Sequence, residues 1–185
     1  MFTLLRTPLW RPFRRLAKDT RGVSAVEFAL ILPLMLTLYL GGNELTHALT
    51  VARKVTHATS SLGDLVTQIK AVSAADMTKI YDVVGSILTP YPITSGLLRI
   101  KVTGVRIDAG GIAKVAWGSA FQDTPLAVGA PFTLPAGVAV PSTFIVTAEV
   151  HYAYKPVIGY ALTGTFDLND QFYLRPRLGL EVAFN

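Results

Sequence analysis

Arg21-Gly22-Val23-Ser24-Ala25-Val26-Glu27-Phe28-Ala29-Leu30-Ile31-Leu32-Pro33 opens an apolar run that continues to Leu40-Gly41-Gly42. Between residues 23 and 42 the one charge is Glu27. Twenty helical residues at about 1.5 Å each reach roughly 30 Å, the thickness of a bilayer core. A buried helix of a soluble domain has a similar composition. The basic flank on one side and Tyr39 near the other favour a membrane span.

The flank is strongly asymmetric. Arg6, Arg11, Arg14, Arg15, Lys18 and Arg21 stand against Asp19, so residues 1–22 carry +5, and the rest of the chain balances eleven basic against eleven acidic side chains. The net charge of +5 therefore belongs to the leader. A basic tail directly before an apolar run points to an anionic membrane face rather than to nucleic acid. After the run the next basic residues are Arg53 and Lys54, so the positive-inside rule keeps the leader cytoplasmic and exports the remainder. Hydrophobic residues make up 51% of the chain and charged ones only 16%, which fits a membrane segment better than a soluble domain alone. Cysteine is absent, which excludes a disulfide framework and a cysteine metal site. A cleaved secretory signal shares the basic start and apolar core. Residues 40–44 lack the small-residue pair it needs, and Thr46-His47-Ala48 lies far from the core.

Glu27 is costly inside an apolar helix and is a functional candidate for that reason, unless it lies shallow enough to reach water. Its setting decides more. Gly22 follows basic residues, Glu27 lies five positions on, and Pro33 interrupts the backbone hydrogen bonding of the helix. This string resembles the prepilin-peptidase site of type IV pilins and pseudopilins. More narrowly, Gly22 with Ala25-Val26-Glu27-Phe28-Ala29-Leu30 and Pro33 resembles the TadE/TadG-like minor pilins of the tight-adherence (Tad/Flp) pilus system, with one extra spacer after the glycine. The resemblance covers residues 21–45. It implies cleavage between Gly22 and Val23, and subunit assembly through Glu27, Phe28 and Pro33. In a filament, Glu27 would pair with the new α-amino group of a neighbouring Val23. The implied partners are prepilin peptidase, other pilins or pseudopilins, the inner-membrane assembly machinery and the lipid bilayer, with no nucleic acid and no cofactor. Two other readings stay open: an uncleaved single-span envelope scaffold, and a protein released by signal peptidase.

Beyond the run no proline occurs until well past Ile69. Leu45, Ala48, Leu49, Ala52, Val55, Ala58, Leu62, Leu65, Val66 and Ile69 recur at helical spacing. This predicts an amphipathic extension over residues 43–70, with Gly41-Gly42 and Gly63 as weak points. Ser73-Ala-Ala-Asp76 predicts a capping box opening a second helix over residues 74–88, ended by Thr89-Pro90-Tyr91-Pro92. Leu98, Ile100 and Val102 alternate, then Val105 and Ile107 take the opposite phase, which predicts a strand with a bulge at Gly104. Asp108-Ala-Gly-Gly111 predicts a turn into a return strand with Val115 and Trp117, and alternation from Phe144 to Tyr154 predicts a third strand. Residues 172–174 predict a fourth, closed by Arg175-Pro176-Arg177. The proline-rich stretch 122–142 predicts a long loop and a candidate contact surface.

The expected architecture is α+β and pilin-like: a long helix and a second helix packed on an antiparallel sheet of about four strands. The organisation expected is a basic leader (1–22), a span (23–42), an amphipathic extension (43–70) and an exported domain (71–185). Enzyme motifs are absent from the sequence. His47 and His57 are too far apart for a helical metal pair, and Asp167-Leu-Asn-Asp170 falls short of a calcium loop and reads as a turn. The chain is therefore expected to be structural rather than catalytic.

Overall fold

The computed structural model describes residues 22–94, 96–156, 159 and 163–185. The leader before Gly22 lies outside them. Helix α1 is Val23–Thr67, 45 residues long, and α2 is Ala74–Leu88. A four-stranded antiparallel sheet has the order β3-β2-β4-β5, with β2 at Leu98–Ile107, β3 at Ala113–Phe121, β4 at Phe144–Tyr154 and β5 at Phe166–Leu174. Two short strands, β1 (Ala71–Val72) and β6 (Ala183–Phe184), pair in parallel beside it. This is the expected α+β layout.

Helix α1 runs unbroken through Gly41, Gly42 and Gly63. Its packed stripe is Val51, Val55, Ala58, Leu62 and Val66, all buried, at spacings of three and four. Val55, Ala58, Leu62 and Val66 were expected there, and Ala48, Leu65 and Ile69 pack partly against the core, but Leu45 and Leu49 are about half exposed, at 53% and 52%. Gly63 allows close contact with the sheet, because a Cβ there would overlap Leu174 Cδ1 and lie 3.3 Å from Ala148 Cβ. Helix α2 begins as expected. Ser73 N donates to Asp76 Oδ2 at 3.1 Å and Asp76 N donates to Ser73 Oγ at 3.3 Å. The Ser73 bonds hold the Asp76 carboxyl below the usual carboxylate range. Lys54 of α1 donates to the carbonyls of Ile87 and Thr89 at 3.0 and 2.7 Å, satisfying acceptors that the end of α2 leaves unpaired.

Both helices cover one face of the sheet. Leu98, Ile100 and Val102 of β2, Trp117 of β3, and alternate residues of β4 from Phe144 to Tyr154 share that core with the α1 stripe and with Met77, Ile80, Val84 and Leu88 of α2. The phase change in β2 has a different origin from the one expected. Strand β2 runs in regular register against β4 throughout, from Leu98↔Tyr152 to Arg106↔Phe144. The irregularity lies in β3: Gly104 faces Trp117 but Val105 faces Val115, so Ala116 is the extra residue. Val105 and Ile107 simply point to the other face. There they form a second small core with Ala113 and Ile145, covered by Phe132, Leu134 and Val138. The 122–142 stretch thus packs on the sheet, and its backbone also joins the β3 edge through Val115 N to Ala130 O at 2.9 Å and Phe132 N to Ala113 O at 3.0 Å.

Residues 167–170 also differ from expectation. They belong to β5, not to a turn. Phe166, Leu168, Phe172 and Leu174 alternate toward the helices, opposite Tyr154, Tyr152, Ala148 and Val146, and the acidic and amide residues between them suit an edge strand. The 175–185 segment returns to the start of the domain. Arg177 N donates to Thr67 O at 2.9 Å, Ala183 N to Lys70 O at 3.0 Å, and Trp117 Nε1 to Val182 O at 2.7 Å.

These contacts give the domain two ends. The near end gathers Tyr154, Phe166, Leu98 and Tyr91 around the point where α1 leaves the domain. The far end holds Ile107, Phe144, Leu174 and Arg177, beside the last turn of α1.

Candidate anchoring and assembly segment

Below its packed stripe α1 leaves the domain. From Gly22 to Asn43 no residue is buried, and the first buried one is Glu44, 3% exposed. The bare part has the composition of a span: Phe28 is 64% exposed, Leu30 75% and Leu34 61%. Among the described residues one helix, Val23–Thr67, is long and apolar enough to cross a membrane by length and composition.

Gly22 is the N-cap of α1, with φ −82° and ψ −14°, and has no side chain to cap the helix. Among the described residues, a Cβ on it would meet nothing within 4 Å. Val23 starts the helix, and Glu27 lies one turn on, on the same face, followed by Leu30, Ile31 and Leu34 at three, four and seven residues. Phe28 is turned away from that face by the helical advance. Within one chain the structure therefore groups Val23 and Glu27, whereas Phe28 and Pro33 lie elsewhere along the bare rod. Pro33 sits inside the helix without breaking it. Lacking an N–H, it leaves the Ala29 carbonyl without its usual donor. Thr37 Oγ1 donates to Pro33 O at 2.8 Å, and Thr46 and Thr50 repeat this bond to Gly42 O and Thr46 O. Each threonine thus hides its hydroxyl on the backbone.

Glu44 is the residue that sequence reading missed. It is buried at the near end beside Tyr154, whose phenol is pushed up by burial, with Tyr91 and the Glu44 carboxylate adding to the effect. A carboxylate directly after an apolar run was the available signal. The contact of Lys54 with the end of α2 was also unread, because its acceptors lie more than thirty residues away.

Elsewhere in the domain, His151 Nε2 lies 2.5 Å from Glu149 Oε1 on the outer sheet face, with Asp167 Oδ2 at 3.8 Å from Nδ1. Among the described residues no group of three or more His, Cys, Asp or Glu is arranged to hold a metal. A groove of about 470 Å³ at the far end is lined by Arg106, Asp108, Ser142, Arg175, Leu180 and Glu181, and Arg106 is tied to Glu181 at 2.5 Å.

The family model described as TadE-like protein matches residues 22–61. Residues 22–61 are a TadE-like segment. It begins at Gly22 and ends among the packed residues of α1, so it includes the whole bare rod and most of the stripe that docks on the sheet. No curated protein and no solved structure matches the chain. The TadE-like segment supports the family resemblance carried by the Gly22–Pro33 string.

Proposed function

We propose that this chain is a minor pilin or pseudopilin of a Tad/Flp-type pilus, structural rather than catalytic. In this reading it crosses the cytoplasmic membrane once, with the basic leader inside and the α+β head outside. Prepilin peptidase removes the leader, and the mature subunit joins other pilins through the inner-membrane assembly machinery. The observation that carries the reading is that the TadE-like match falls on a helix whose first half is bare and whose second half is packed into the head. A rod of that kind suits a subunit that waits in the bilayer and then transfers into a bundle of like rods.

Two details support the finer assignments. Among the described residues, nothing lies within 4 Å of where a side chain on Gly22 would begin. The glycine suits an extended substrate passing through a peptidase site. Glu27 stands on the bare rod one turn from Val23. In a filament it would meet the α-amino group of a neighbour's Val23, so that two charges otherwise isolated in an apolar core neutralise each other.

Mass spectrometry of the mature N-terminus tests processing. The expected product begins at Val23, and Gly22→Leu is expected to abolish it. An intact Met1 in cells with active prepilin peptidase would replace this reading with an uncleaved single-span scaffold. For assembly, Glu27→Ala is expected to be processed normally yet to fall at least tenfold in pilus incorporation. Incorporation at the unaltered level would remove the pairing role.

A further inference from the structure

We infer that the near end of the head is itself a membrane-contact surface: in the anchored protein Phe166, Lys155 and the Leu45 side of α1 sit in the lipid headgroup layer. This rests on residues 23–42 spanning the bilayer.

The argument is one of length. With Val23 at one edge of the hydrocarbon, a core of about 30 Å is used up at about residue 42. The head begins almost at once, because Glu44 is already 3% exposed. At about 1.5 Å per residue, two further residues add only about 3 Å. The headgroup layer on each side is about 5–8 Å deep. Helix α1 is continuous across this junction, so no linker lifts the head away. A tilt of about 20° shortens the span along the membrane normal and draws the head closer still.

The near end carries side chains suited to that layer. Tyr154 adjoins Glu44 electrostatically, and Phe166 is its direct partner across the β4–β5 register. Phe166 is 38% exposed, Leu45 is 53% exposed, and Lys155, the residue after Tyr154, is exposed. The Glu44 carboxylate at this end is buried, and Asp167 turns to the outer face toward His151. Partly exposed aromatic and aliphatic groups with a lysine match an interfacial belt.

The chain has no cysteine, so single cysteines can be placed at will. Leu34→Cys, Leu45→Cys, Phe166→Cys and Val128→Cys are each spin-labelled in the full chain, in vesicles of phosphatidylcholine and phosphatidylglycerol at three to one. Power saturation then compares access to oxygen and to a water-soluble nickel chelate. Leu34 reports the span, and Val128, 74% exposed toward the far end, reports bulk water. The expected result is an oxygen-accessible Leu34 site and nickel access at both Leu45 and Phe166 at least threefold below that at Val128. If Leu34 is shielded from nickel while Leu45 or Phe166 matches Val128, the contact surface is overturned and the anchor stands. If Leu34 itself is open to nickel, the anchor reading fails, and this inference with it.

Discussion

Adding one methyl group at Gly104 is expected to cost the head several kcal/mol. The backbone there needs no unusual φ, so the cost is purely steric. An alanine Cβ at 104 would overlap Trp117 Nε1 and would lie 2.5 Å from Trp117 Cε2 and 2.7 Å from Phe144 Cζ. Both neighbours are rigid rings, 6% and 4% exposed, with the α1 and α2 core behind them. The indole cannot yield without losing its bond to Val182 O, 2.7 Å long and buried. Overpacking costs about 1–3 kcal/mol. Stranding the buried indole N–H and Val182 carbonyl costs about 1–3 kcal/mol more. Gly104→Ala should therefore destabilise by roughly 2–6 kcal/mol, or about 6–24 °C in Tm for a domain of this size. Thermal unfolding of the full chain in detergent, followed by near-ultraviolet circular dichroism, measures it. The mechanism is checked by the same substitution in a Trp117→Leu background, where most of the penalty should vanish. A Gly104→Ala chain that melts within 2 °C of the parent, or that pays the same penalty with and without the indole, would refute the reasoning.

The other expectations concern the two helices. Lys54→Met removes a cation that holds the Ile87 and Thr89 carbonyls, and should lower stability by about 1–3 kcal/mol in the same melt. The Asp76 carboxyl titrates below its ordinary value of 3.8 because Ser73 donates to it, so its contribution is complete above that value and is lost as pH falls through the folded-state pKa. Acid titration of Ser73→Ala should accordingly show a shallower loss of stability below about pH 4 than the parent, and parallel curves would exclude the box as the cause.

Periodicity and motif chemistry made much of this molecule legible from its sequence. The long helix, the capping box at Ser73 and Asp76, and the strands through Leu98 and Phe144 rest on local spacing, which needs no partner to be read. The errors arose where a partner at long range decides burial. Val105 and Ile107 looked like a bulge in their own strand because the segment that covers them, around Phe132 and Leu134, lies some thirty residues away. Leu45 and Leu49 looked like core because helical spacing alone does not say which apolar face meets the sheet. Asp167 to Asp170 looked like a turn because an edge strand leaves its outer groups to water. The short β1–β6 pair carried no local signal at all. On the bare rod, Gly22, Val23, Glu27, Phe28 and Pro33 stand out by residue type and spacing alone, without reference to the head.

In the proposed orientation, the return of residues 175–185 to the start of the domain sets the order of events during export. A head threaded outward from its anchor emerges with Thr67 and Lys70 long before Arg177 and Ala183, yet those early carbonyls are closed by the late amides. The Trp117 indole likewise waits for Val182. Helix α1 and the central strands can form as they appear, but the tryptophan corner stays open until the last stretch has crossed. A chain arrested at residue 176 would leave that corner open at the far end of the head, away from the anchor.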